Sequence, residues 1–100
     1  MTTQIKENGN QLIASFVGRL DTAAAIPTAE AVKPLMEADK KEIILDCSQL
    51  EYISSSGLRI FLSIRKDAAA KGSKVIVRNI NAEIRQVFVM TGFISLFEIE

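Results

Sequence analysis

Residues 42–47, EIILDC, narrow the choice of fold more than any other stretch of this sequence. The apolar run is short, unbroken and ended by Asp46, which is typical of a strand that is covered on both faces, as in a parallel sheet. A helical pattern follows at residues 55–71, and Gly72 stands at the position just beyond it where glycine commonly ends a helix. KVIVR at 74–78 indicates a second buried strand. Parallel strands joined by a helix predict an α/β domain.

The N-terminal residues predict a hairpin on the edge of this sheet. Residues 3–7 fit a short edge strand, and NGN at 8–10 is a strong turn signal. Residues 11–18, QLIASFVG, alternate between two faces and indicate the second strand of the hairpin.

A helix is predicted after this hairpin, with Asp21 and Thr22 as candidate N-cap residues. Pro27 fits a first helical turn, whereas Pro34 in a helix interior would cost about 3 kcal/mol. We therefore expect a kink or a late helix start near Pro34. The predicted apolar face of this helix has the spacing i, i+4, i+7 and i+11 and consists of Ala25, Ala29, Val32 and Met36.

The C-terminal residues predict a further helix and a last strand. Residues 81–91 have the periodicity of a helix with Gly92 just beyond it, and residues 94–99, ISLFEI, indicate a short strand. The predicted order is β-β-α-β-α-β-α-β. The fold class is therefore α/β, with residues 1–100 forming a single domain in which helices pack on one mixed sheet.

Composition excludes several classes of function. The chain has 12 basic and 12 acidic residues, so it lacks the basic excess that nucleic-acid binding uses, and no apolar run is long enough to span a membrane. With no histidine and one cysteine, Cys47, a Ser-His-Asp triad is impossible, and we predict a buried thiol, no metal site and no disulfide within the chain. The N-terminus lacks the pattern of a signal peptide, and the prediction is a cytoplasmic protein.

The joint between the central strand and its helix carries three consecutive serines, in the stretch EYISSSGLR at 51–59. One serine is explained as an N-cap, which is worth about 1 kcal/mol over alanine. Gly57 costs about 1 kcal/mol in a helix, and it suggests that another backbone or a ligand approaches closely. A phosphoserine here would meet the positive end of the helix dipole, so the protein would stay folded while the charge blocks a partner. Plain capping and a phosphorylation switch both remain open.

The helical face predicted to pack on the core consists of Leu58, Phe61, Leu62 and Ala69, widened by Ile60, Ile64 and Ala68. The opposite, polar strip consists of Arg59, Ser63, Lys66 and Ala70. Arg59 lies one turn from the serines, where it could meet an acidic group of a partner. Arg65 falls inside the apolar arc and is expected to extend its charged end to solvent.

The sequence resembles the STAS domain, and specifically the bacterial anti-sigma factor antagonists, over nearly its whole length. GRLDTAAA at 18–25 is similar to the family's entry into its first helix, and IILDCSQLEYISSSGLRIFL at 43–62 to its central strand and D-S-S/T-G-L helix start. KGSKVIVRNI at 71–80 and VFVMTGFISLFEIE at 87–100 are similar to its later strands and last helix. The central motif carries most of the specificity.

The resemblance implies a regulatory binding protein and not an enzyme. Such antagonists, when unphosphorylated, bind an anti-sigma factor that is also a GHKL-type serine kinase, and thereby release the sigma factor. The kinase inactivates them by phosphorylation, and a PP2C-type, metal-dependent phosphatase reverses this. By position, Ser55 is the phosphoacceptor, with Ser56, Gly57 and Leu58 completing the motif and Asp21 in the neighbouring loop. The predicted partner-binding set is Asp21, Thr22, Ser54, Ser55, Ser56, Gly57, Leu58, Arg59 and Ser63.

The chain departs from the family pattern at Ser54, where the family has an aspartate. Serine caps a helix as well as aspartate does, so the fold is unaffected, but a charge beside the phosphoacceptor is lost. An alternative is therefore an unswitched STAS docking subunit of a transporter or signalling complex. A third hypothesis, an enzyme with Ser55 as nucleophile, lacks a visible general base. No cofactor is predicted, because the sequence has no glycine-rich phosphate loop.

Overall fold

The predicted strands form one five-stranded mixed sheet in a computed structural model that describes residues 1–37 and 42–100. The strands are β1 (Thr2–Asn8), β2 (Gln11–Leu20), β3 (Glu42–Ile53), β4 (Lys74–Arg78) and β5 (Glu98–Ile99). The helices are α1 (Thr22–Ala31), α2 (Lys33–Glu37), α3 (Ser55–Ala70) and α4 (Ala82–Thr91), followed by a 3-10 turn at Phe93–Ser95. The predicted α/β class and the mixed sheet are confirmed. The order differs from the prediction only by the division of the first helix and by the 3-10 turn.

The strands lie in the sheet in the order in which they occur in the chain, from β1 to β5. β1 pairs with β2 antiparallel, as expected of a hairpin, and the later ladders are parallel. The main hydrophobic core lies on one face of the sheet, where it joins side chains of β2, β3 and β4 to side chains of all four helices.

The chain's five phenylalanines form the centre of this core. The ring of Phe61 on α3 lies 5.2 Å from that of Phe16 on β2, 6.4 Å from that of Phe88 on α4 and 6.5 Å from that of Phe97. Phe93 packs on Phe88 and Phe97. Ring contacts at these separations add to the stabilisation from buried area, so α3 is fixed against both the sheet and the C-terminal residues.

The opposite face of the sheet carries no helix among the described residues. The prediction that β3 is covered on both faces holds for the burial of residues 43–45, although no described helix covers the second face. Ile44 and Ile76 pair on this face and are only 0% and 4% exposed. Charged and polar side chains share the face with them, and two exposed ion pairs, Lys74–Glu98 and Arg78–Glu100, lie there at 3.0 and 3.1 Å.

The helix after β2 is interrupted, as Pro34 predicted, and Pro34 is the second residue of the short helix α2. The prediction for Pro27 was wrong, because α1 begins at Thr22 and Pro27 is inside the helix, beyond its first turn. The predicted apolar face was also partly wrong. Ala25 and Val32 are buried, and Met36 packs partly buried against the core. Ala29 is exposed, however, and Thr28 and Leu35 are buried instead.

Two strand boundaries differ from the predictions. β3 continues to Ile53, because β2 offers ladder partners for Gln49, Leu50, Tyr52 and Ile53, with two register shifts that accommodate the extra residues. β5 covers only residues 98–99 of the predicted 94–99. Ile94 packs against the core from the 3-10 turn instead of pairing in the sheet, as does Phe93 before it, which lay outside the predicted strand.

The buried face of α3 is rotated from the predicted one. Leu58, Ile60, Phe61, Ile64 and Ala68 are buried, whereas Leu62 is half-buried and Ala69 is exposed. Arg65 does not simply extend to solvent, since its Nε donates to the backbone carbonyl of Leu96 and so ties α3 to the C-terminal turn. Gly72 and Gly92, predicted to end their helices, both have left-handed backbone with φ of +73° and +79°.

Candidate functional site

The starts of α1 and α3 lie side by side at one edge of the sheet. Leu20 at the end of β2 pairs with Ile53 at the end of β3, and both strands then pass into a helix. The backbone N–H of Ser54 donates to the carbonyl of Leu20 at 2.8 Å. In parallel sheets the carboxyl ends of strands, where helices begin, are the usual place for ligands and partners.

Ser54 is the N-cap of α3, as one of the two open interpretations predicted. Its backbone is extended, its Oγ accepts a hydrogen bond from the Gly57 N–H at 3.2 Å, and its carbonyl accepts from the Leu58 N–H at 2.9 Å. Only 8% of Ser54 is exposed. The side chain that stands in place of the family's aspartate is thus turned inward and used for capping.

Ser55 is the first residue of α3 and is exposed, while Ser56 is half-buried. Their backbone N–H groups precede the first intrahelical hydrogen bond, and the described residues give them no acceptor. The first turn of α3 contains no acidic residue. A negative group attached to Ser55 would therefore meet the positive end of the helix dipole and unpaired donors.

Asp21 is the N-cap of the neighbouring helix α1. Its Oδ1 accepts a hydrogen bond from the Ala24 N–H at 2.8 Å. Thr22, the other candidate cap, is instead the first residue of the helix and is exposed. Because Leu20 and Ile53 are paired, the structure brings Asp21 and the serines to the same edge of the sheet, one after each strand.

Gly57 is explained by the interior of the protein and not by an approaching partner. It is buried, and a Cβ atom at this position would lie 2.7 Å from Cγ of Leu20 and 2.9 Å from Cγ1 of Ile53. The close approach that the sequence suggested is thus made by side chains from the ends of β2 and β3. It brings α3 closely against both strands.

The remaining predicted residues divide between the core and the surface. Leu58 is buried in the core and presents almost nothing to a partner. Arg59 and Ser63 are exposed, at i+4 and i+8 from Ser55, and form a strip along α3 with it. The Ser63 hydroxyl donates to the carbonyl of Arg59 at 2.9 Å, whereas Arg59 makes no ion pair with any described residue.

Sequence reasoning missed two exposed apolar groups in the elements that meet at this edge. Tyr52, one residue before Ile53, is partly exposed and has the guanidinium of Arg19 over its ring, 4.5 Å from the centroid. Ile26 of α1 is 75% exposed. Tyr52 could have been identified from the sequence, because it is an aromatic residue outside the apolar core pattern. The exposure of Ile26 could not, because it depends on where α1 begins.

The described residues offer no metal centre or membrane span near this edge. Residues 1–37 and 42–100 contain no group of metal-ligating side chains, and none of their helices is long and apolar enough to cross a membrane. A cleft of about 450 Å³ lies on the sheet face without helices, beside Gln4, Ser15, Asp46 and Gln49. It contains none of the predicted site residues.

The sequence matches known proteins along nearly all of its length. The family described as STAS domain matches residues 2–100. The proposed anti-sigma factor antagonist BtrV of Bordetella bronchiseptica is 28% identical over 88 residues, which are 88% of this chain and 76% of that protein.

Two solved structures have the same fold. An anti-sigma factor antagonist of Mycobacterium paratuberculosis superposes with a TM-score of 0.83 at 21% identity, covering 98% of this chain and 83% of the other. The Bacillus cell fate determinant SpoIIAA in its phosphorylated form gives 0.75 at 19% identity, covering 99% and 91%. At these identities the two structures show a shared fold and no more. The family match over residues 2–100 decides the assignment: the chain belongs to the STAS domain family.

Proposed function

We propose that this protein is an anti-sigma factor antagonist that switches partners through phosphorylation of Ser55. In its unphosphorylated form it binds an anti-sigma factor of the GHKL serine kinase type in the cytoplasm and thereby releases the sigma factor. Phosphorylation of Ser55 ends this binding, and a PP2C-type phosphatase restores it. It acts as a binding protein and not as an enzyme.

One observation carries the proposal. Ser55 is an exposed hydroxyl on the first residue of α3, and the cap of that helix is a different residue, Ser54. Modification of Ser55 therefore leaves the capping hydrogen bond from Gly57 in place. The added negative charge would lie at the positive end of the helix dipole, so the fold persists. The charge of the surface around Ser55 becomes negative. A fold relative that exists in a phosphorylated form is in keeping with this switch.

The surface around Ser55 supports a protein partner. Arg59 is exposed without an ion pair among the described residues, and Asp21 lies beyond the end of the neighbouring strand. These groups can meet oppositely charged groups of a partner, and a phosphate on Ser55 would change that match.

Incubation with the cognate GHKL kinase and ATP, followed by mass spectrometry, tests the proposal. We expect one phosphate on Ser55, none in Ser55→Ala, and normal phosphorylation of the control Ser63→Ala, which removes another exposed serine of the same helix. Ser55→Asp is expected to weaken kinase binding roughly tenfold or more. Absence of phosphate on Ser55 together with unchanged binding by Ser55→Asp would contradict the proposal.

A second function is favoured by Ser54. The family's aspartate is missing, and the serine that replaces it is buried, so no carboxylate directly precedes Ser55 for a kinase to recognise. On this basis the chain would be an unswitched docking subunit of a transporter or signalling complex. A pull-down that recovers a transporter ATPase and no kinase would decide for this alternative.

A further inference from the structure

A narrow groove lies between the end of β3 and α4. It encloses about 170 Å³ and is lined by Glu51, Tyr52, Ile53, Glu83, Ile84 and Val87. Small-molecule sites usually measure about 300–1,000 Å³, so the groove is sized for a single side chain. It begins at Ile53, two residues before Ser55.

The walls of the groove are held in place by Asn81. The side-chain amide of Asn81 donates to the carbonyl of Leu50 on β3 at 3.1 Å, and its oxygen accepts from the Ile84 N–H of α4 at 2.8 Å. Ile53 and Ile84, which form part of the lining, are buried in the core. The groove is therefore preformed, which reduces the ordering cost when a partner binds.

The rim of the groove is acidic. Glu51 and Glu83 are both exposed, and neither forms an ion pair with a described residue. No basic side chain lines the groove. Tyr52, on the same rim, already packs against one guanidinium, that of Arg19. Apolar walls between two unpaired carboxylates match a side chain that has an aliphatic stem and a cationic end.

We propose that this groove receives an arginine side chain of the protein partner. The stem packs between Ile53, Ile84 and Val87, and the guanidinium donates hydrogen bonds to the carboxylates of Glu51 and Glu83. Arginine fits better than lysine, because its planar fork bonds carboxylates in pairs and is less strongly hydrated. The inference rests on the proposed function for the identity of the partner, the GHKL kinase that acts on Ser55.

Isothermal titration with the kinase tests the groove through a matched pair of double variants. Glu51→Gln with Glu83→Gln removes the rim charges. Glu98→Gln with Glu100→Gln removes the same charge from exposed residues of the C-terminal strand region, outside the groove. We expect the first pair to weaken binding about tenfold or more and the second less than about twofold. Equal effects of the two pairs overturn the proposal.

A second titration does not depend on the kinase. N-acetyl-arginine amide is added to the isotope-labelled protein and followed by NMR, with the uncharged citrulline analogue as control. We expect saturable shifts at Tyr52, Glu83 and Val87 with arginine only, in the millimolar range of dissociation constants. Absence of such shifts, or equal shifts with citrulline, overturns the proposal that the groove binds an arginine side chain. If the arginine probe binds but the kinase does not bind the wild-type protein, the proposed function is contradicted, whereas arginine binding by the groove is supported.

Discussion

At the level of single residues, two neighbouring hydroxyls have separate tasks. Ser54 is buried and its Oγ accepts the Gly57 N–H, whereas Ser55 is exposed at the helix start. A single serine could not serve as both cap and phosphoacceptor, because modification would displace the capping hydrogen bond. The consecutive serines thus allow the surface to change without loosening α3.

Alanine substitutions should separate these tasks in unfolding experiments. Ser54→Ala leaves a helix start uncapped and is expected to lower the free energy of unfolding by about 1 kcal/mol. Ser55→Ala removes an exposed hydroxyl and should change it by less than about 0.5 kcal/mol. Urea denaturation of both variants measures the difference. Equal losses would mean that Ser55 contributes to the cap.

Gly57→Ala should destabilise the protein although alanine favours helices. The new Cβ would lie 2.7 Å from Cγ of Leu20 and 2.9 Å from Cγ1 of Ile53. Overpacking typically costs about 1–3 kcal/mol, which exceeds the gain of about 1 kcal/mol in helix propensity. Urea denaturation should show a net loss, and the loss caused by Gly57→Ala should be smaller in a Leu20→Ala background, where most of the crowding side chain is absent. A more stable Gly57→Ala protein would contradict the packing argument.

The thiol of Cys47 should make stability depend on alkaline pH. Burial, with a smaller contribution from Asp46, raises the pKa of Cys47 from 9.0 to about 12. Above about pH 9 the unfolded chain loses a proton that the folded protein keeps, so stability falls as pH rises toward the folded value. Cys47→Ala should show a shallower fall between about pH 9 and 11 in urea denaturation. Identical slopes would count against this.

At the level of elements, sequence periodicity predicted which segments are helices and strands better than where they end. The apolar run at 42–47 located β3, but its extension to Ile53 depends on hydrogen bonds from β2, which no local pattern contains. ISLFEI at 94–99 has the composition of a strand, yet Phe97 within it is held by the rings of Phe61 and Phe88. Tertiary packing decided these boundaries.

The candidate site could be predicted only in part, because some of its features also depend on tertiary packing. The cap, the exposed serine and Asp21 follow from local rules and strand topology. The burial of Leu58 also follows from the helical periodicity. The role of Gly57, the partial exposure of Leu62 and the exposure of Ala69 depend on how α3 is rotated on the sheet. The groove joins β3 to α4 through Asn81, so it could not be read from either segment alone.

Pro27 offers a test of the forces that hold α1. It is exposed and inside the helix, where its ring removes a backbone hydrogen bond. Pro27→Ala should raise the free energy of unfolding by about 1–2 kcal/mol, part of the gain being offset by a more flexible unfolded chain. Pro34→Ala is the control, because Pro34 lies in a first turn and should change stability by less than about 0.5 kcal/mol.

Chemical denaturation of the two proline variants measures this difference. Equal effects at Pro27 and Pro34 would show that position within the helix does not determine the cost. Loss of stability in Pro27→Ala would mean that the packing of α1 depends on the ring.

At the level of the whole molecule, one sheet face carries all the helices that the structure describes, and β3 lies in the middle of the sheet. Both edges of β3 are hydrogen-bonded, to β2 and β4, whereas β5 has two residues and one neighbour. Hydrogen exchange should therefore be slowest in residues 43–45 and fastest among the strands in β5. Equal protection of β5 and β3 would contradict a cooperative unit centred on β3.

The spatial order of the strands has a consequence for biosynthesis. Each described ladder joins strands that are consecutive in the chain, so every strand leaving the ribosome finds its neighbour already made. Domains fold as the chain is made, N-terminal part first, and near-neighbour contacts form fastest. The nascent sheet can thus grow from one edge to the other without waiting for a distant partner. The residues of the serine joint are thus made before those of α4.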